Sequence, residues 1–148
     1  MAEKLHSASI IARPRRVVLS SSFQVEVSPV VKADVTRATY KLGKDIAEGT
    51  ALDESVYRAN RHHTPDELLN QTGIMHLHPL GRGTAELLFL VQYDACVVFL
   101  EISDHRHFAI LPRGHVLLQM HGQFLADQEQ EIRRRERERA EIFDEGKS

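Results

Sequence analysis

The chain has 148 residues and a formal net charge of −2 with its nine histidines counted neutral; 42% of its residues are hydrophobic and 27% charged. These figures fit one globular domain and exclude a strongly basic surface that coats nucleic acid by charge alone. No apolar run approaches the roughly 18 residues of a membrane span, no long apolar stretch near the start precedes a small-residue cleavage site, and the single cysteine, Cys96, forms neither an intrachain disulfide nor a Cys-based zinc site.

In chain order, residues 1–14 are polar and weakly patterned and read as a flexible leader. Residues 16–27 predict one short strand or a broken pair, since Phe23, Val25 and Val27 alternate with Gln24 and Glu26. Ser28 and Pro29 predict a helix start, and Val31, Val35, Ala38, Leu42 and Ile46 carry an apolar stripe to Glu48, where Gly49 closes it. After an irregular polar stretch, Thr64 as N-cap and Pro65 in the first turn predict a second, short helix ended by Gly73. Residues 74–78 predict a strand stopped by Pro79 and the Gly81-Arg82-Gly83 turn. Residues 86–93 and 96–102 are almost continuously apolar and predict a hairpin of central strands buried on both faces. Residues 105–111 predict an edge strand or an extended loop. Helical spacing returns from Gly114 to Ala126, followed by a charged tail, 127–148, with eight acids and six bases. The expected fold is α+β: a small antiparallel sheet, two N-terminal helices and a C-terminal helix.

The residues that stand out are histidines, six of them between His76 and His121. His76-x-His78 and His105-x-His107 each place both members on one face if the segment is extended. Three readings are open. Two His-x-His pairs on neighbouring strands supply four nitrogens to a metal, but Glu86 is far from His78 for a cupin pattern, and Pro112-Arg113-Gly114-His115 is two residues short of that pattern's second element. Strand histidines also occur simply as polar residues at a sheet surface. The third reading is metal-free RNA cleavage, in which histidine moves protons near neutral pH and arginine holds the phosphate; Arg82, Arg106 and Arg113 are interleaved with the histidines. Cys96, inside an apolar strand, reads as packing, and Gly81-Arg82-Gly83 lacks the downstream glycine and helix start of a phosphate loop.

Taken in order, these pieces resemble a known family. A strand leads into a helix (16–27 into 29–48), then come Gly49 and Tyr57-Arg58, then Ile74-Met75-His76-Leu77-His78. Two apolar strands and a histidine-bearing segment follow, and His115, Met120 and Phe124 recur at fixed spacing on a last helix. Residues 15–126 resemble the RelE-like toxins of bacterial toxin–antitoxin modules, nearest the YafO type. The resemblance implies a microbial-ribonuclease-like α+β fold in the cytoplasm and cleavage of translated mRNA on the ribosome by attack of the 2′-hydroxyl. It implies no metal or cofactor, and a cognate antitoxin as partner. Carried onto this chain, it implies a catalytic set of His76, His78, His105, His107, Arg113 and His115, with Arg82, Arg106 and Arg58 contacting RNA. Within that set His115 or His107 is the expected acid or base, and Arg113 the expected stabiliser of the phosphorane-like state. A non-catalytic binding or regulatory module of the same fold, or a small His-ligated metal enzyme, are the alternatives.

Overall fold

The computed structural model describes residues 3–59, 62, 64–109 and 114–145. Strand β1 (Arg16–Leu19) leads to helix α1 (Lys32–Glu48), a short 3₁₀ turn at Glu54–Val56 and helix α2 (Glu67–Thr72). Strands β2 (Ile74–Leu77), β3 (Leu87–Gln92) and β4 (Cys96–Ser103) follow, then a one-turn helix α3 (Arg106–Ala109) and a long helix α4 (His115–Glu145). The architecture is α+β, with one four-stranded sheet in the order β1-β4-β3-β2.

The two apolar runs become the central strands because each has a hydrophobic layer to meet on both faces. Leu88 and Leu90 of β3 and Val97, Phe99 and Ile102 of β4 face Val35, Leu42 and Ile46 of α1. The alternate residues, Leu87, Phe89 and Val91 with Cys96, Val98 and Leu100, face Leu117, Met120 and Phe124 of α4. All of these strand side chains are buried, and each large one adds about 1.5–3 kcal/mol of apolar burial. The sheet is therefore the middle layer between α1 and α4.

The expected antiparallel sheet is corrected to a mixed one. β2–β3 and β3–β4 are antiparallel, but β1 runs parallel to β4, Arg16 opposite Cys96 and Leu19 opposite Phe99. The intervening helices give the chain the length a parallel crossover requires. The broken continuation of β1 also follows β4: Glu26 N donates to Ile102 O and Ile102 N to Gln24 O, around the bridge Val25–Ile102.

Local boundaries also shift. α1 starts at Lys32, not at Pro29, because Ser28 and Val31 close a turn, Val31 N donating to Ser28 O, and Val31 caps the helix without a side-chain bond. α2 is capped by Asp66, two residues past the expected Thr64; its carboxylate accepts from Leu69 N at 3.2 Å. The segment after β4 is a turn and α3, where a strand or loop was expected. β4 is already flanked by β1 and β3, so the segment cannot turn back as a hairpin partner of β4, and the chain folds over the sheet face. The described part of the charged tail continues α4 as a helix laced by Arg134–Glu131, Arg134–Glu138 and Arg135–Glu131 pairs.

Residues 3–14 lie across the sheet end. Leu5 N donates to Gln92 O at 2.7 Å, Ile10 is buried with its N–H on the Tyr57 hydroxyl, and Ile11 N donates to Gln92 Oε1. The buried Arg15 guanidinium ties the same region down, donating to Tyr93 O, Ile11 O and Gln92 Oε1.

Candidate active site

Strand register places three residues in one row on the α4 side of the sheet: His76 of β2 opposite Phe89 of β3, and Phe89 opposite Glu101 of β4. A β-bulge decides the last placement. The partner of β3 jumps from Glu101 at Phe89 to Phe99 at Leu90, leaving Leu100 as the extra residue. Leu100 then packs on the α4 side with Phe89, and Glu101 turns to the same side instead of the opposite one.

Helix α3 covers this row. The His107 ring stands edge-on to Phe89 with centroids 5.0 Å apart, and its Nε2 lies 2.8 Å from Glu101 Oε1. Gln24 Nε2 donates to the other carboxylate oxygen at 3.1 Å. Glu101 is 2% exposed and His107 4%. Burial alone would push the Glu101 carboxyl up, but hydrogen bonds from His107 and its other neighbours outweigh it and hold the carboxyl below its ordinary value. Phe108 spans the rest of the row, 5.1 Å from the His76 ring and 5.9 Å from Phe89.

Beside this row opens a pocket of about 320 Å³ lined by Arg58, Asp66, Leu68, His76 and Phe108 among others. Asp66 is shared between structure and site. Oδ1 caps α2, while Oδ2 lies 3.8 Å from His76 Nδ1 and 3.9 Å from Arg58 Nε. Arg58 also donates to Thr64 O. Burial pushes His76 down to about 4; Asp66 opposes this, and His78, His105 and Arg58 add to it. Burial thus favours the neutral form of the His76 imidazole. Burial likewise lowers His78, against a backbone hydrogen bond with Thr84 that raises it.

Four of the expected histidines come together here. The rings of His76 and His78 are 5.5 Å apart, those of His78 and His105 6.4 Å, and His105 is 5.8 Å from Phe108. His105 is exposed. His107 shares the cluster but is buried against Glu101, so it does not face solvent as an expected acid or base would. His115 is apart from these ring contacts, exposed on the first turn of α4 with its Nε2 3.1 Å from Gln119. Arg82 folds back on the chain: Nε donates to Tyr57 O and Nη2 to Glu54 O. Arg106 opens α3, and Arg113 lies outside the described residues.

Sequence reading missed Asp66, Glu101, Phe89 and Phe108. One signal was present, a lone Glu in the otherwise apolar Cys96–Ile102 run, since a carboxylate inside a buried strand needs a partner. His121 belongs elsewhere on the α4 side. Its Nε2 lies 2.5 Å from the buried Tyr93 hydroxyl. Burial, then Lys4, pushes His121 down to about 4, and burial pushes Tyr93 up to about 12.

Among the described residues no group of three or more His, Cys, Asp or Glu side chains is placed to hold a metal ion, and no helix is long and apolar enough to cross a membrane. No family model, curated protein or solved structure matches the chain.

Proposed function

We propose that the chain is an endoribonuclease of the RelE-like, YafO-type toxins, cleaving translated mRNA on the ribosome and neutralised by a cognate antitoxin. The observation that carries this reading is the meeting of His76, Arg58 and Asp66 at one pocket, with the His78 and His105 rings in series beside His76. That set supplies a buried imidazole, a second, exposed imidazole and a guanidinium, the groups that metal-free cleavage of a phosphodiester needs. The chain order of strand, helices, three-stranded meander and final helix supports the same family.

In this mechanism His76 is the base, with the Asp66 carboxylate 3.8 Å from Nδ1 offsetting the charge the ring takes on. It takes the proton of the ribose 2′-hydroxyl as that oxygen bonds to phosphorus. The bond to the 5′-oxygen breaks, and that oxygen takes a proton from His105. The products are a 2′,3′-cyclic phosphate and a 5′-hydroxyl end. Arg58 offsets the charge gathering on the phosphate oxygens. The roles first expected for His107 and His115 pass to His76 and His105, because His107 is buried on Glu101 and His115 is outside the cluster.

The test is cleavage of a ribosome-bound message by purified protein, with and without chelator. The proposal expects chelator-insensitive cleavage leaving cyclic phosphate ends, and a loss of about 100-fold or more in His76→Gln, the range for removing a general base. Wild-type protein that neither cuts the message nor arrests growth on induction would sink it.

A further inference from the structure

The surface at the β1 edge is unused by this site. β1 is an outer strand. Ser20 N donates to Phe99 O, so with β1 parallel to β4 the even-numbered residues bond inward, and Val17 and Leu19 turn their N–H and C=O groups away from the sheet. Beside that edge lies an apolar groove of about 440 Å³ between β1 and α1, lined by Val17, Leu19, Phe23, Tyr40, Phe99 and Ile102 among others. Leu19 is 56% and Tyr40 78% exposed. Of the features that blunt such an edge, β1 has its shortness and the charge of Arg16, but no lysine or proline interrupts residues 17–19.

The geometry points to a second copy of this chain as the occupant, paired antiparallel through β1 about a two-fold axis at Val18, so that two four-stranded sheets become one continuous sheet. Three features of the edge complement themselves under that symmetry. Val17 of each copy falls opposite Leu19 of the other, and these are the residues with outward backbone groups, so each pair exchanges both backbone hydrogen bonds. Exposed Leu19 and Tyr40 sit on the same patch as the apolar groove, so each copy offers both the projecting side chains and the hollow. Arg16 falls opposite Ser20 of the other copy, next to Ser21, whose hydroxyl donates to Asp127 Oδ2 at 2.7 Å. Arg16 and Val18 share a strand face, Val18 packs on the α4 side, and Asp127 belongs to α4. Each Arg16 is thus brought to the Asp127 of its neighbour, twice over. A parallel pairing of identical strands does not close under a two-fold. An unrelated peptide would use the groove but not this charge exchange. The inference is independent of the ribonuclease reading.

The experiment is sedimentation of the full chain from about 5 to about 200 μM, a range that resolves a concentration-dependent dimer. The wild type is expected to dimerise with concentration, and Leu19→Lys, at an exposed site, to remain monomeric with an unchanged circular dichroism spectrum. Arg16→Glu and Asp127→Arg should each weaken the dimer, and the double variant should recover it. In a Cys96→Ala background, Val18→Cys should oxidise to a covalent dimer, since a non-hydrogen-bonded antiparallel pair holds its Cα atoms about 4.5 Å apart, within disulfide reach. A wild type that is monomeric at every concentration overturns the proposal. So does a dimer that survives Leu19→Lys, or one that Val18→Cys fails to crosslink.

Discussion

Replacing Glu101 by Gln tests the centre of the structure most directly. The carboxylate is 2% exposed and accepts from His107 Nε2 at 2.8 Å and Gln24 Nε2 at 3.1 Å. Gln keeps the shape and, with the Gln24 amide turned so that its oxygen accepts, keeps both partners, but only as neutral hydrogen bonds. Two hydrogen bonds to a charged acceptor, worth about 1.5–3 kcal/mol each, become neutral bonds of about 1 kcal/mol each. The expected loss is about 1–4 kcal/mol at pH 7, with a fall in Tm of roughly 2–4 °C per kcal/mol for a domain of this size. The Glu101 carboxyl lies below its ordinary value in the fold. Its stabilisation is therefore present above the unfolded carboxylate range and disappears as pH falls through the folded value. Wild type and Glu101→Gln should thus differ at pH 7 and by less at about pH 3, below the unfolded carboxylate value. Urea unfolding followed by circular dichroism at both pH values measures this. A difference below about 0.5 kcal/mol at pH 7 would refute the idea that the bulge delivers a buried charge whose hydrogen bonds hold α3 on the sheet.

Other outcomes follow from the same contacts. Phe89→Ala removes the fully buried ring between His76, His107 and Phe108 and should cost about 3–5 kcal/mol in urea unfolding; a cost under about 1 kcal/mol would show the row is loosely packed. Arg15→Met removes the donor to Tyr93 O, Ile11 O and Gln92 Oε1 and should cost about 3 kcal/mol. It should also speed hydrogen exchange at the Leu5 and Ile11 amides; unchanged protection there would show that Arg15 does not hold the 3–14 segment. His76 and His121 are both pushed down to about 4, so below about pH 6.5 the unfolded chain takes up protons the folded imidazoles refuse. Stability is then full above about pH 6.5 and falls as pH drops toward 4, and His121→Gln should flatten that fall in urea titrations; an equally steep fall in the variant would contradict the assignment.

What the sequence determined by itself was local or periodic. The unbroken apolar runs at 87–92 and 96–102 required burial on both faces and so a sandwiched pair of central strands, as the structure has them. Gly49 and Gly73 ended their helices as expected, each with positive φ, and the Arg and Glu residues of 129–138 carried helical charge pairs. The histidine cluster was legible as a list of residues but not as a place. His76 and His105 are far apart in sequence, and only strand register and the turn after β4 bring their neighbourhoods together. Tertiary structure alone decided three further points. β1 runs parallel to β4, because pairing direction depends on the crossover and not on four residues of Arg-Val-Val-Leu. Asp66 Oδ2 lies 3.8 Å from His76 Nδ1, because its other oxygen is already fixed as the cap of α2. Glu101 faces His107, because one extra residue in β4 reverses which side a strand position points to.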